Sequence, residues 1–323
     1  FGEAYAQPFG VAPIGLANLI WPGADEALAA AAAKAQTPYV LSTAGTTSIE
    51  TIAKIAPRAW FQLYVGRDQA IVDDLIARAD VAGAPVLVVT VDVPAPGKRV
   101  RDLVNKFSLP LRLGPREAFD IASHPRWAMA TWRAGAPRFA NLERYGGEGA
   151  SAQSLASLMA AQSSARLDWR LLGEIRARWP RRLVVKGLLH PDDAVRARAI
   201  GCDGVIVSNH GGRQLDSAPA PIEMLPAFRA ALGADFTIGL DGGARCGEDI
   251  AKALALGADF VLLGRAFLYA VGALGPERGP SETIEIVADE LDRAQAQLGC
   301  PAYEDLRRAQ TMRAPFDDQG DHV

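Results

Sequence analysis

Residues 183–210 read LVVKGLLHPDDAVRARAIGCDGVIVSNH, and the way this stretch divides decides the class of fold. An unbroken apolar run, Leu183–Val185, is followed by Pro191–Ile200, where apolar residues recur at helical spacing and charge lies on the other side. A second unbroken run, Gly204–Val207, comes next. Neither run alternates with polar residues, so each strand is buried on both faces. Strand, helix and strand in that form belong to a parallel sheet covered by helices. Each run also ends in residues that a purely structural strand does not need: Lys186 after the first, and Ser208, Asn209 and His210 after the second.

The same unit repeats along the chain. Further apolar runs are Phe9–Ala12, Tyr39–Leu41, Trp60–Val65, Val86–Val91, Phe236–Leu240 and Phe260–Leu263, and helical patterns fill Asp25–Ala35, Gln69–Ala82 and Gly247–Leu256. Eight strands point to an α/β fold of the closed (β/α)8 TIM-barrel type rather than an open doubly wound sheet, and 323 residues suit one such barrel. One interval breaks the rhythm. About residues 93–167 form a long insertion after the fourth strand, in which His124–Tyr145 is rich in Trp, Met, Phe and Arg and Gly146–Ser154 is small and flexible. Connections of that length usually carry function. Ser281–Leu298 reads as a C-terminal helical extension, giving one unit over 1–310 and a polar tail over 311–323.

Composition narrows the function. The chain is 49% hydrophobic and 22% charged, with 34 basic and 37 acidic residues and a net charge of −3. It therefore exerts no global attraction on nucleic acid, and any anion site must be local. Cys202, Cys246 and Cys300 are far apart, without metal-ligand spacing, and odd in number. They read as incidental thiols of a reducing, cytoplasmic setting, with no metal site. No apolar run approaches the ~18 residues of a membrane helix, and no signal-peptide pattern opens the chain. It starts at Phe1, a few residues before its first strand, so upstream sequence is expected to be missing.

Polar residues at strand ends carry the chemistry. They include Gly15, Ser42 and Thr43, Gln62 and Tyr64, Thr90 and Asp92, Lys186, Ser208 and His210, Asp241, and Gly264 with Arg265. In an α/β barrel these ends converge on one mouth, where the active site lies. Side chains two apart share a face, so Gln62 with Tyr64, Thr90 with Asp92, and Ser208 with His210 project together. A cap or a strand-end hydrogen bond accounts for any one of them, but not for the whole set. Two loops sharpen the picture. Ser208-Asn209-His210-Gly211-Gly212-Arg213 sets a histidine and an arginine beside glycines that admit a ligand close to the backbone. Asp241-Gly242-Gly243-Ala244-Arg245 and Gly264-Arg265 follow strands seven and eight, where such barrels bind phosphate. No G-x-G-x-x-G follows a first strand, and no Walker loop is present.

With these residues assembled, the chain resembles the FMN-dependent 2-hydroxy-acid oxidases and dehydrogenases from about Pro8 to Cys300. The likeness rests on VAPIG (11–15), LSTAGTTSIE (41–50), WFQLYV (60–65), TVDVPAPGKRVRDLVNKF (90–107), LVVKG (183–187), SNHGGRQLD (208–216), LDGGARCGEDIAKALALGAD (240–259) and LLGRA (262–266). GLANLIWPGADEALAAAAAKA (15–35), APRFANLERY (136–145) and DWRLLGEIRARWP (168–180) are most similar to the bacterial (S)-mandelate dehydrogenases.

The resemblance implies FMN as cofactor. Pro13, Ile14, Gly15, Ser42, Gln62, Thr90, Lys186 and Ser208 would surround its ring and ribityl chain. Asp241 would bind ribityl hydroxyls, and the loop Gly242, Gly243, Ala244 and Arg245 with Gly264 and Arg265 would take the phosphate. Arg99 and Arg213 would clamp the substrate carboxylate, and Tyr64 would bond the substrate oxygen. His210 would act as the base, oriented by Asp92. The product would be the 2-oxo acid, with the α-hydrogen leaving as a proton or as a hydride. The electrons would go to quinone or to O2.

Two positions depart from parts of the family. The family's further carboxylate-binding tyrosine precedes the first strand, and Tyr5 does not match it. Ala44 stands where glycolate oxidase carries tryptophan and leaves room for a larger side chain such as phenyl; Gly15 stands where the oxidases carry alanine, as in mandelate dehydrogenase, and points to a dehydrogenase. L-lactate dehydrogenase and oxygen-using oxidase are the neighbouring alternatives, and a non-redox FMN or sugar-phosphate isomerase is more remote. Residues 124–145 read either as a membrane-surface element on the inner face of the cell membrane or as a loop packed over the barrel mouth or a neighbouring subunit. The resemblance further implies a homo-oligomer, a tetramer by analogy.

Overall fold

The computed structural model describes residues 1–95, 97–105, 114–146, 167–309 and 311. The apolar runs form strands β1 (Phe9–Ile14), β2 (Tyr39–Ser42), β3 (Trp60–Tyr64), β4 (Val86–Thr90), β5 (Arg182–Leu188), β6 (Gly204–Ser208), β7 (Thr237–Asp241) and β8 (Phe260–Leu263). Each pairs in parallel with its neighbour, and β8 returns to β1, so the sheet closes into an eight-stranded barrel as expected. Closure leaves no sheet edge exposed.

Helices cover the outside: α1 (Ala17–Ile20), α2 (Ala24–Lys34), α3 (Ile49–Ile55), α4 (Gln69–Val81), α5 (Val100–Val104), α6 (Pro115–Ser123), α7 (Pro125–Ala134) and α8 (Trp169–Arg178) in the first part. They continue as α9 (Pro191–Ala199), α10 (Pro221–Leu232), α11 (Gly247–Ala255), α12 (Arg265–Leu274) and α13 (Gly279–Leu298). Local chemistry sets their ends. The Asp168 carboxylate accepts from the Leu171 amide to open α8. Helix α9 starts on Pro191 with Asp192 and Asp193 in its first turn and Arg196 and Arg198 in its last, matching the helix dipole. Helix α10 has no counterpart in the sequence reading, because Pro226 inside it masks the periodic signal. Residues 147–154 of the glycine-rich stretch, and the tail apart from Thr311, lie outside the described residues.

Strand parity sorts the barrel interior into two layers. The lower one is apolar, built from Val40, Trp60, Val86, Val88, Val184, Ile206, Phe260 and Leu262, and is stoppered by Phe1. The Phe1 ring meets Trp60 and Phe260 edge-on at 5.4 and 6.0 Å. The upper layer, two residues further along the same strands, is polar and buried: Ser42, Gln62, Thr90, Lys186, Ser208 and Asp241. A stability-driven core would be apolar throughout, since burying polar groups costs free energy unless they are bonded. This upper layer is the floor of the site.

Candidate active site

The floor satisfies itself in a chain of hydrogen bonds. Ser42 Oγ donates to Gln62 Oε1 at 3.0 Å, and Gln62 Nε2 donates to Thr90 Oγ1 at 2.9 Å. On the strands that follow, Lys186 Nζ donates to Ser208 Oγ at 3.1 Å and lies 3.5 Å from Asp241 Oδ2. Ser208 in turn donates to Asp241 Oδ1 (3.2 Å) and accepts from the His210 amide (3.0 Å). A strand-end serine thereby joins a buried lysine, a buried carboxylate and the turn that carries the histidine.

That turn is left-handed. His210, Gly211 and Gly212 have φ of 57°, 65° and 70°, a conformation that costs a non-glycine residue roughly 1 kcal/mol or more. Several bonds hold it: Asn209 Oδ1 accepts from the Gly212 amide at 3.2 Å, and Arg265 Nη2 donates to the Gly211 carbonyl at 2.6 Å. The outcome is an imidazole whose Nδ1 lies 2.9 Å from Asp92 Oδ1 and whose Nε2 lies 3.5 Å from the Tyr64 hydroxyl. Burial, and then the Asp92 charge, push the Tyr64 phenol well above its usual range, so at neutral pH it remains a donor.

Tyr64, Thr90, Lys186, His210 and Asp241 face one cavity of about 780 Å³. Its walls include Pro13, Ile14, Gly15, Ala44, Tyr64, Thr90, Arg99, Lys186, His210, Arg213, Asp241, Gly242, Gly243, Ala244, Arg245, Gly264 and Arg265. Ser42, Gln62 and Ser208 lie buried behind that lining, and Asp92 sits behind His210. Two pairs of cations face in. Burial, and then Arg213, lower the Arg99 pKa; burial, and then Arg245, lower that of Arg265. Like charges gathered in a half-buried cavity favour an anionic ligand at each end. Gly15 faces Ala44: a Cβ on Gly15 would lie 3.2 Å from the Ala44 methyl.

Some functional contacts were missed in the sequence. The Gly97 amide donates to Gln214 Oε1 at 2.9 Å, docking the start of the insertion beside Arg213, and Asp102 lies 3.6 Å from Arg213 Nη2. The loop bearing Ala44 is tied down by Asp25, whose Oδ2 accepts from the Thr46 amide (2.6 Å) and hydroxyl (2.5 Å). Asp25 reads as an ordinary helix-start acid, and nothing local marks it as buried. An apolar wall of Ile71, Val72, Leu75, Phe139, Leu142 and Leu167 completes the cavity. Among the described residues, no cluster of His, Cys, Asp and Glu could hold a metal ion.

The insertion divides in two. Trp127 Nε1 donates to the Ile20 carbonyl at 2.8 Å, and Phe139 and Leu142 are buried. Helices α6 and α7 bury no residue, and Phe119 and Trp132 are 78% and 80% exposed. Among the described residues, no helix is long and apolar enough to cross a membrane.

A site that pairs a buried lysine with a two-arginine anion end and a glycine-lined loop fits FMN in shape and charge. Residues 1–313 match the family model described as FMN-dependent dehydrogenase. The (S)-mandelate dehydrogenase of Pseudomonas putida is 44% identical over 301 residues, spanning 93% of this chain and 75% of that protein. An L-lactate dehydrogenase of Pseudomonas syringae pv. syringae (strain B728a) is 37% identical over 316 residues, covering 97% and 83%. The crystal structure of the monotopic membrane protein (S)-mandelate dehydrogenase superposes with a TM-score of 0.89 at 43% identity, covering 94% of this chain and 80% of that one. The chain belongs to the FMN-dependent dehydrogenase family, and its cofactor is FMN.

Proposed function

We propose that this chain oxidises an aromatic (S)-2-hydroxy acid of the mandelate type to the 2-oxo acid. The observation that carries the reading is the His210–Asp92 pair facing a cavity that Arg99 and Arg213 also line. Asp92 takes the Nδ1 hydrogen and leaves the Nε2 lone pair directed at Tyr64 and the cavity, the tautomer a general base requires. Arg99 and Arg213 receive the carboxylate, whose charge offsets their mutual repulsion. Tyr64 donates to the substrate oxygen, and His210 Nε2 takes up one proton as the substrate is oxidised. When bound, FMN would supply the acceptor for the two electrons and for the second hydrogen that leaves the substrate. Lys186 and Asp241 would hold its ring and ribityl region, and Arg245 and Arg265, with the Gly242–Gly243 loop, its phosphate. The part of the cavity that Gly15 and Ala44 line would receive the phenyl group.

The exposed aromatic face of α6 and α7, with Arg126 and Arg133 beside it, supports contact with the surface of the cytoplasmic membrane, where quinone accepts the electrons. The test is anaerobic addition of (S)-mandelate or L-lactate to the yellow protein. Mandelate bleaches the flavin absorbance, and His210→Ala keeps the flavin but does not bleach. Bleaching by neither acid refutes the function, and air reoxidation within seconds replaces the dehydrogenase reading with an oxidase.

A further inference from the structure

The geometry points to Gly187 as a positioning residue for the base: its missing side chain forms the seat that fixes the Asp92 carboxylate against His210. This rests on the reading of His210 and Asp92 given above. Strand β5 contains one residue too many for its neighbour. Lys186 pairs with Ile206, but Leu188 pairs with Val207, the next residue of β6, so Gly187 is the extra residue of a bulge. Bulges beside active sites re-aim side chains, and this one leaves Lys186 pointing into the cavity floor while bringing the Gly187 backbone around toward β4. On that side the Val91 amide donates to the Lys186 carbonyl at 2.9 Å, which sets Asp92 directly against Gly187.

The fit leaves no room for any other residue. A Cβ at Gly187 would lie 2.6 Å from Asp92 Cγ, 2.7 Å from its Cβ and 2.9 Å from Oδ2, with φ of +106°. Asp92 Oδ2 is buried and, among the described residues, without a hydrogen-bond partner, whereas Oδ1 bonds His210 Nδ1. One carboxylate oxygen is thus held by the imidazole and the other by packing on a bare Cα. A carboxylate confined at both oxygens cannot rotate away, so the imidazole keeps its tautomer and its aim. The Lys186-Gly187 pair therefore serves two ends of the site: the lysine for the cofactor floor, the glycine for the proton acceptor.

A double-mutant cycle tests this on the flavin-loaded enzyme, reading the limiting rate of anaerobic flavin reduction by (S)-mandelate, the KM, and flavin occupancy from absorbance. Gly187→Ala lowers the limiting rate on the order of 10²-fold, the scale of a mispositioned general base, and leaves KM within about threefold because neither arginine is touched. In an Asp92→Gly background all three of those atoms are gone and the seat is empty, and Gly187→Ala changes the rate less than about threefold. Equal losses in both backgrounds, or a silent single variant, overturn the seat while leaving the dyad standing. An Asp92→Gly enzyme as fast as the parent overturns the dyad and the seat together. If Gly187→Ala fails to accumulate, recovery of a folded, flavin-loaded Asp92→Gly/Gly187→Ala protein supports the clash as its cause, and failure of both refutes it.

Discussion

Replacing Arg265 with alanine should weaken FMN binding. Arg265 lies with Arg245 at the anion end of the cavity, its pKa lowered by burial and then by that neighbouring charge. One of its nitrogens already donates to the Gly211 carbonyl at 2.6 Å, leaving its other donors for a phosphate. A charge-assisted hydrogen bond is worth about 1.5–3 kcal/mol, so losing the guanidinium should raise the FMN dissociation constant roughly 10- to 150-fold. The assay is titration of stripped protein with FMN, followed by quenching of flavin fluorescence, with riboflavin in parallel. Riboflavin has the ring and the ribityl chain but no phosphate, and its affinity should stay within about threefold. Equal weakening of both ligands, or an FMN constant changed less than threefold, would refute the phosphate assignment.

Ala44→Trp should fill the part of the cavity that Ala44 lines with Gly15, lowering kcat/KM for (S)-mandelate on the order of 100-fold and for L-lactate less than tenfold; equal losses would place the phenyl group elsewhere. Asp25, raised to about 6 chiefly by burial, favours its protonated form in the fold, so its stabilisation is full below about pH 4 and fades as pH rises through 6. Asp25→Asn should remove that dependence, and the urea midpoint of the parent relative to the variant should fall between pH 4 and 7 by up to ~3 kcal/mol equivalent; a constant difference would count against it. Trp132→Glu should reduce co-sedimentation with vesicles containing phosphatidylglycerol while leaving flavin reduction unchanged, and unaltered sedimentation would remove α7 from the membrane contact.

The legible part of the site followed from strand parity. Gln62 and Tyr64 are two apart on a strand whose other residues are apolar, and Ser208 ends another, which places them on the inner face toward the barrel mouth; His210 lies past its strand in the left-handed turn, so the turn and not the pleat aims it. Glycine and arginine loops after the seventh and eighth strands were legible for the same reason, because a barrel sends every strand end to one rim. Asp25, Gly97, Gln214 and Gly187 were not. Their roles depend on partners far along the chain: Thr46, Gln214 and Gly97 for one another, and Asp92 for Gly187.

By itself, then, the chain's pattern of apolar runs and polar strand ends determined a closed α/β barrel and the inventory of charges at its mouth, because burial and pleat act on each segment separately. Tertiary structure alone decided which of those groups meet. The contact between His210 and Asp92 spans 118 residues, and it depends on the turn at His210 and on the β5 bulge that opens a seat for the carboxylate. Neither the register between strands nor the bulge is written in any local window, since both come from packing the sheet into a ring.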